Sequence, residues 1–162
     1  MQKGKVFRYG RDVNTDVIIP ARYMSVQDPV ELGKYCFQDL DDKFTDKVNE
    51  GDIVVAEENF GSGSSREHAP ISIKANGIKC IIAKTFARIF YRNSVNIGLP
   101  IYEMPEAVDS FDMGDQVEYD LEKGYFKNVT KNLEFQAKPF SPEVQRIFNA
   151  GGLMNLIKQN IK

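Results

Sequence analysis

The apolar positions of the chain change period as the sequence advances, and each change marks an element. Residues 1–10 alternate polar and apolar side chains, so residues 5–9 read as a first strand. Residues 10–16 are rich in turn formers, with Asp and Asn suited to Asx turns, and the short apolar segment 17–20 is closed by Pro20. Residues 21–29 read as a loop, after which Pro29 opens a helix through Glu31, Leu32 and Tyr35. Residues 38–51 are polar and acidic, with lysines interspersed, and read as a solvated connector. The run 53–56 is β-branched and too short for a helix, which makes it a buried strand.

Beyond it, helical spacing and strand signals alternate. A helix starts near His68 or Ala69 with Pro70 in its first turn and is capped by Gly77. Residues 80–83 form the next strand. Phe86, Ile89, Phe90, Val95 and Ile97 give a mostly helical pattern ended by Gly98, and residues 99–102 read as a short strand in which Pro100 signals an edge or an end. Strand, helix, strand, helix, strand predicts parallel pairing with right-handed crossovers. From Asp115 onward the period falls to two, giving short strands at 116–121, 125–129 and 133–136, expected as a small antiparallel sheet. Ser141-Pro142-Glu143 starts a helix carrying Val144, Ile147 and Phe148, which Gly151-Gly152 stops. Leu153, Leu156 and Ile157 suggest a last short helix that a partner could use. The fold class is therefore α/β, a parallel βαβαβ core with a small antiparallel sheet.

The chemistry concentrates in the small-residue loop after the strand 53–56, Gly61-Ser62-Gly63-Ser64-Ser65-Arg66-Glu67-His68. A loop entering a helix collects backbone N–H groups where the dipole favours an anion. Arg66 adds a planar fork of donors matched to carboxylate or phosphate. Capping competes with this reading, because Ser64-x-x-Glu67 fits a capping box. Against it, Pro70 would then fall in the helix interior and remove a backbone bond. Nucleotide-loop patterns fail for want of the lysine or of the last glycine. Loops at the carboxyl ends of parallel strands gather ligands, and Ser64 and residues 84–88 both fall there. Arg88 and Arg92 share a helix face, with Arg92 suited to the surface and Arg88 to the site or an interface. His68, the single histidine, is better suited to a hydrogen-bonding structural role than to proton transfer.

Composition narrows the classes. The 162 residues are one domain by length, 42% hydrophobic and 27% charged, as in an ordinary globule. A net charge of −2 with no dense Lys/Arg run argues against a general nucleic-acid binder. No segment reads as a secretory signal or as a membrane helix, so a cytoplasmic location is expected. The acidic stretch 38–51 does not fit an EF-hand loop, and no metal site is expected. Cys36 and Cys80 form no C-x-x-C pair; two cysteines cannot assemble a Cys-ligated iron–sulfur cluster or a disulfide framework, and both are expected as reduced thiols near a core.

Three motifs in order, Asn14-Thr15-Asp16-Val17-Ile18-Ile19-Pro20, Gly61-Ser62-Gly63-Ser64-Ser65-Arg66-Glu67-His68-Ala69 and Ala83-Lys84-Thr85-Phe86-Ala87-Arg88-Ile89, closely resemble the small subunit of 3-isopropylmalate dehydratase. This is the swivelling domain of the aconitase superfamily as a separate chain, and the resemblance covers essentially the whole sequence. It implies a swivelling β/β/α fold and half of an enzyme that isomerises 2-isopropylmalate and 3-isopropylmalate through isopropylmaleate, in leucine biosynthesis. It also implies a large-subunit partner in a heterodimer or heterotetramer. That partner carries a [4Fe–4S] cluster acting as a Lewis acid on the substrate hydroxyl, and no cofactor is bound by this chain. Ser64 matches the catalytic serine, whose alkoxide takes the proton next to a carboxylate. Ser65 and Arg66 match carboxylate-binding positions, Asp16 lies in the active site, and Gly63, His68 and Arg88 support it. The loop of Tyr23, Met24, Ser25 and Val26 closes on the diacid substrate. Related enzymes for substrates with an extra carboxylate carry arginine where this chain has Ser25, and an unpaired buried carboxylate is costly, so an apolar substituent is favoured. Isopropylmalate enzymes often show an aliphatic residue there, and Ser25 departs from that. The alternatives are the small subunit of homoaconitase or of 2,3-dimethylmalate dehydratase, or a non-catalytic anion-binding module.

Overall fold

The computed structural model describes residues 1–161. In chain order the elements are β1 (Gln2–Arg8), α1 (Thr15–Ile18), a 3-10 turn (Ala21–Tyr23), α2 (Pro29–Gly33), α3 (Phe44–Lys47), β2 (Ile53–Ala56), α4 (His68–Lys74), β3 (Ile81–Ala83) and α5 (Arg88–Asn96). The second half adds β4 (Ile101–Glu103), α6 (Pro105–Val108), β5 (Gln116–Asp120), β6 (Tyr125–Asn128), β7 (Leu133–Gln136), α7 (Pro142–Ala150) and α8 (Leu153–Ile161). The strands form a seven-stranded mixed sheet in the order β4-β3-β2-β1-β5-β6-β7.

Strands β2, β3 and β4 are parallel, as the alternation of strands and helices predicts. β1 belongs to both halves of the sheet. Its carboxyl half pairs parallel with β2, Val6 opposite Ile53, whereas its amino half pairs antiparallel with β5, Gln2 opposite Tyr119. The antiparallel strands are thus joined to the parallel core through β1 in one continuous sheet.

All four residues of β2 and all three of β3 are buried, because helices cover one face and the antiparallel region with α6 covers the other. Val54, Ala56, Ile81 and Ala83 face a core shared with Ile18, Phe37, Phe44, Ile73 and Phe90. Ile53, Val55 and Ile82 point to the opposite face, with Tyr102, Phe111, Tyr119 and Phe126.

Three segments depart from the sequence reading. Residues 15–18 form a turn of helix because the Asn14 side chain caps it, accepting from Val17 N–H at 3.0 Å. α2 stops at Gly33, short of Tyr35, which instead stacks on Tyr23 with ring centroids 3.9 Å apart. The acidic connector is pinned rather than wholly solvated: Phe44 is fully buried, edge-on to Phe7 and Phe37, and Asp41 accepts from the Tyr9 hydroxyl at 2.9 Å. One aromatic inside a charged run was enough to anchor it. At the other end of the chain, Ser141 caps α7 through Val144 N–H and Gly151 ends it, as the signals predict. α8 leaves Met154, Ile157 and Ile161 exposed. Among the described residues no helix is long and apolar enough to cross a membrane.

Candidate functional site

The loop 57–67 leaves β2, crosses the carboxyl edge of the sheet and enters α4. Two neighbours fix its path. On one side Phe60 N–H donates to Thr85 C=O at 3.1 Å and Ala87 N–H donates to Phe60 C=O at 2.9 Å, tying the loop to the segment between β3 and α5. On the other side Gly61 N–H donates to Val13 C=O at 2.7 Å and Thr15 N–H donates to Ser62 C=O at 2.8 Å. Gly61 sits at φ +83° with its α-carbon against the Phe90 ring, a backbone region and a clearance that suit glycine.

Between these anchors lies a pocket of about 180 Å³. Gly61, Gly63, Ser64, Ser65 and Arg66 form one wall. Ala87, Arg88, Ile89 and Phe90, the start of α5, form the other, with Thr15 and Asn93 completing it. Ser64 and Ser65 are exposed, and among the described residues neither hydroxyl has a hydrogen-bond partner. Ser64 therefore does not cap α4, which starts at His68 after Glu67 with no side-chain cap bond.

The positive charge is of two kinds. Arg66 is held: its side chain is 14% exposed, its guanidinium pairs with Asp16, and it donates to Ile19 C=O at 3.3 Å. Arg88 is exposed and makes no ion pair among the described residues. The N–H groups of Arg88, Ile89 and Phe90 are in the first turn of α5 and have no intrahelical acceptor. A positive helix end therefore lines the same pocket as Ser64, and it belongs to α5 and not only to the helix the loop enters. Together these groups offer an unpartnered hydroxyl beside donors for more than one carboxylate oxygen.

The structure thus brings Gly63, Ser64, Ser65, Arg66 and Arg88 together and places Asp16 on Arg66. His68 is half-buried at the start of α4 and takes no part in the lining. Tyr23, Met24, Ser25 and Val26 contribute nothing to it either. Tyr23 stacks on Tyr35, with the Arg22 guanidinium 4.9 Å from its ring centroid and held by Asp39 at 3.1 Å. Thr15 and Asn93 escaped the sequence reading. Thr15 stood inside a quoted motif but read as a turn residue, and Asn93 lies one helical turn after Ile89, a spacing that marks the same face. Larger concavities of about 620 and 690 Å³ lie elsewhere, lined chiefly by α4, α5 and α8 in one case and by β4 and residues 136–141 in the other. Neither includes the Ser64–Arg66 hydroxyls or guanidinium.

Lys84, also at the carboxyl edge, is engaged elsewhere. Its ammonium lies 3.0 Å from Asp109 and 3.6 Å from Glu58, and the hydrogen bond to Asp109 raises its pKa. The two cysteines do not fit an iron–sulfur cluster. Cys36 and Cys80 are buried in the cores on opposite faces of the sheet, and burial pushes the Cys36 thiol to about 12 and the Cys80 thiol upward as well, away from the thiolate a cluster needs.

Residues 15–107 match the aconitase C-terminal domain family. The chain is 60% identical over 160 residues to the 3-isopropylmalate dehydratase small subunit of Caldicellulosiruptor saccharolyticus, spanning 99% of this chain and 92% of that protein. It is 57% identical over 160 residues to the 2,3-dimethylmalate dehydratase small subunit of Eubacterium barkeri, spanning 99% and 98%. The crystal structure of 3-isopropylmalate dehydratase from Methanocaldococcus jannaschii superposes with a TM-score of 0.89 at 46% identity, over 98% of this chain and 94% of that one. On the match and on these identities, the chain belongs to the aconitase C-terminal domain family.

Proposed function

We propose that this chain is the small subunit of a 3-isopropylmalate dehydratase, a single swivelling domain that supplies the base for a hydro-lyase reaction on a branched diacid. The observation that carries the proposal is the pocket lined jointly by Ser64, whose hydroxyl has no partner among the described residues, by Arg66, and by Arg88 with the first turn of α5. A serine hydroxyl is a very weak acid, and its alkoxide needs concentrated positive potential with little water. The two guanidinium groups and the orphan N–H groups of α5 supply part of it.

In the reaction, Ser64 Oγ takes the proton from the carbon bearing a carboxylate while the hydroxyl leaves the adjacent carbon, and a double bond forms between the two. Return of the proton and of a hydroxide, together one water, with the opposite regiochemistry completes the isomerisation. Ser65, Arg66 and Arg88 bind the substrate carboxylates, and Asp16 orients the Arg66 fork. The thiols of this chain do not fit a cluster, so a [4Fe–4S] group would be held by a large subunit, where it would supply Lewis-acid chemistry toward the substrate hydroxyl. The complex is a heterodimer or heterotetramer working in the cytoplasm. Tyr23, Met24, Ser25 and Val26 lie outside the pocket lining, and their contact with the substrate rests on the family resemblance.

Two observations favour a second substrate, 2,3-dimethylmalate. The Eubacterium barkeri relative bears that name at 57% identity, and Ser25 is small and exposed where an aliphatic residue would meet an isopropyl group. A homoaconitate-type acid is less well served, since no arginine stands at residue 25 for its extra carboxylate. Anaerobic reconstitution with the large subunits of isopropylmalate and dimethylmalate dehydratases, scored by hydration of isopropylmaleate, dimethylmaleate and homoaconitate, separates these readings. Faster hydration of isopropylmaleate supports the first, a preference for dimethylmaleate moves the pathway and keeps the chemistry, and no complex with either partner would leave an anion-binding module.

A further inference from the structure

Residues 13–15 and 61–64 are joined by three successive hydrogen bonds. Two are between backbone groups, from Gly61 N–H to Val13 C=O and from Thr15 N–H to Ser62 C=O. The third is made by a side chain: the Thr15 hydroxyl donates to the Ser64 carbonyl at 2.9 Å. Thr15 is 2% exposed, so water competes poorly for that carbonyl, and its β-branched side chain has few rotamers to lose. The loop runs close overhead, where a Cβ at Gly63 would sit 3.5 Å from the Thr15 hydroxyl oxygen. The next residue, Asp16, holds the Arg66 guanidinium. Adjacent residues of α1 thus hold two different groups of the Ser64–Arg66 wall.

We infer that Thr15 is the positioning residue for Ser64, an inference that rests on the assignment of Ser64 as the base. The hydroxyl of Thr15 fixes the plane of the Ser64–Ser65 peptide. A trans peptide carries its N–H opposite its C=O, so holding the Ser64 carbonyl on the Thr15 side sets the Ser65 N–H on the other. That N–H has no acceptor among the described residues and remains free for an anion. Without the Thr15 bond the plane can rotate, because glycine at 63 restricts the preceding backbone little, and the Ser64 Cβ swings with it. Displacement of a reacting oxygen by about 1 Å costs on the order of 100-fold in rate, so loss of the hydroxyl should act on turnover more than on binding.

The test uses the assembled enzyme with three variants, Thr15→Val, Thr15→Ser and Ser64→Ala. Thr15→Val keeps the shape of the side chain and removes the donor, whereas Thr15→Ser keeps the donor and removes a methyl group. Thr15→Val is expected to lower kcat by about 10- to 100-fold with KM within a few-fold of wild type, and Thr15→Ser to recover most of the rate. In a Ser64→Ala background Thr15→Val should cost nothing further, since there is no base left to position. Equal loss in the valine and serine variants, a loss confined to KM, or a valine chain that fails to fold or to join its partner would place Thr15 in the general stability of the fold and overturn the inference. If Ser64→Ala itself keeps the wild-type rate, the reading of Ser64 fails first, and a drop in kcat with Thr15→Val would then have to be referred to another group.

Discussion

Gly61 offers the sharpest test of how the loop is held, because an added methyl group meets two separable penalties. At φ +83° an alanine costs about 1–2 kcal/mol for its left-handed backbone. Its Cβ would also lie 2.6 Å from Phe90 Cδ2 and closer still to Cγ and Cβ of the same residue, and overpacking of this kind costs about 1–3 kcal/mol. Phe90 has little room to yield, being 2% exposed and edge-on to Phe60 with centroids 5.2 Å apart. The sum for Gly61→Ala is roughly 2–5 kcal/mol, a large share of the about 5–15 kcal/mol that keeps a domain folded. In thermal unfolding it corresponds to a fall in Tm of roughly 4–20 °C for a chain of this length. Two other glycines separate the terms. Gly114 has φ +87° with nothing within 4 Å of an added Cβ, so Gly114→Ala should show the backbone cost alone. Gly10 lacks both features, and Gly10→Ala should be neutral or stabilise by about 0.4–1 kcal/mol through the unfolded chain. Urea unfolding of the three variants gives the ranking. Equal losses at Gly61 and Gly114 would refute the claim that Phe90 packs against the loop, and no loss at either would refute the backbone argument.

Three further outcomes can be checked on the isolated chain. Burial alone would raise the pKa of Asp115, but the Asp112 N–H at 2.9 Å, the Asn128 amide at 2.8 Å and the Lys131 ammonium at 3.5 Å pull it below the ordinary 3.8. A depressed folded-state value gives stability that is present above 3.8 and lost as pH falls through the lower folded value; Asp115→Asn should therefore be less stable at neutral pH and show a flatter acid limb, and parallel limbs in urea midpoints would contradict this. Cys36 and Cys80 should be silent to a thiol reagent at mildly alkaline pH in the native chain and both titrate after unfolding, whereas fast native labelling would contradict their burial. Ser94 is fully buried on α5 with an unpartnered hydroxyl, so Ser94→Ala should leave stability unchanged or raise it by about 1 kcal/mol, and a loss of that size would reveal a partner for the hydroxyl.

Much of the architecture was legible because local signals and tertiary packing agree. The β-branched run at β2, the proline in the first turn of α4 and the Ser141-Pro142 start of α7 each state their element within a few residues. Where the reading fell short, a long-range contact decided. Phe44 is one apolar residue in a charged stretch, and nothing local says that Phe7 and Phe37 close around it. β1 reads as one strand, yet which neighbour each half pairs with depends on strands more than forty and a hundred residues away. The site divides in the same way. The serine loop announces itself by its small residues and its arginine, but the second wall comes from α5, and the grip of Thr15 on the Ser64 carbonyl spans 49 residues of sequence. Pairing of Arg66 with Asp16 was likewise invisible from spacing, although both residues stand in the motifs that carry the family resemblance.

The central claim is that Ser64 moves the substrate proton, and isotope exchange reads that step without relying on net turnover. The assembled enzyme is incubated with 3-isopropylmalate in heavy water, and loss of the C–H signal at the carbon beside the carboxylate is followed by proton NMR for wild type and for Ser64→Ala. Exchange by wild type and none by a Ser64→Ala enzyme that still assembles and binds the diacid is the predicted result; exchange at the wild-type rate in the variant would contradict the account.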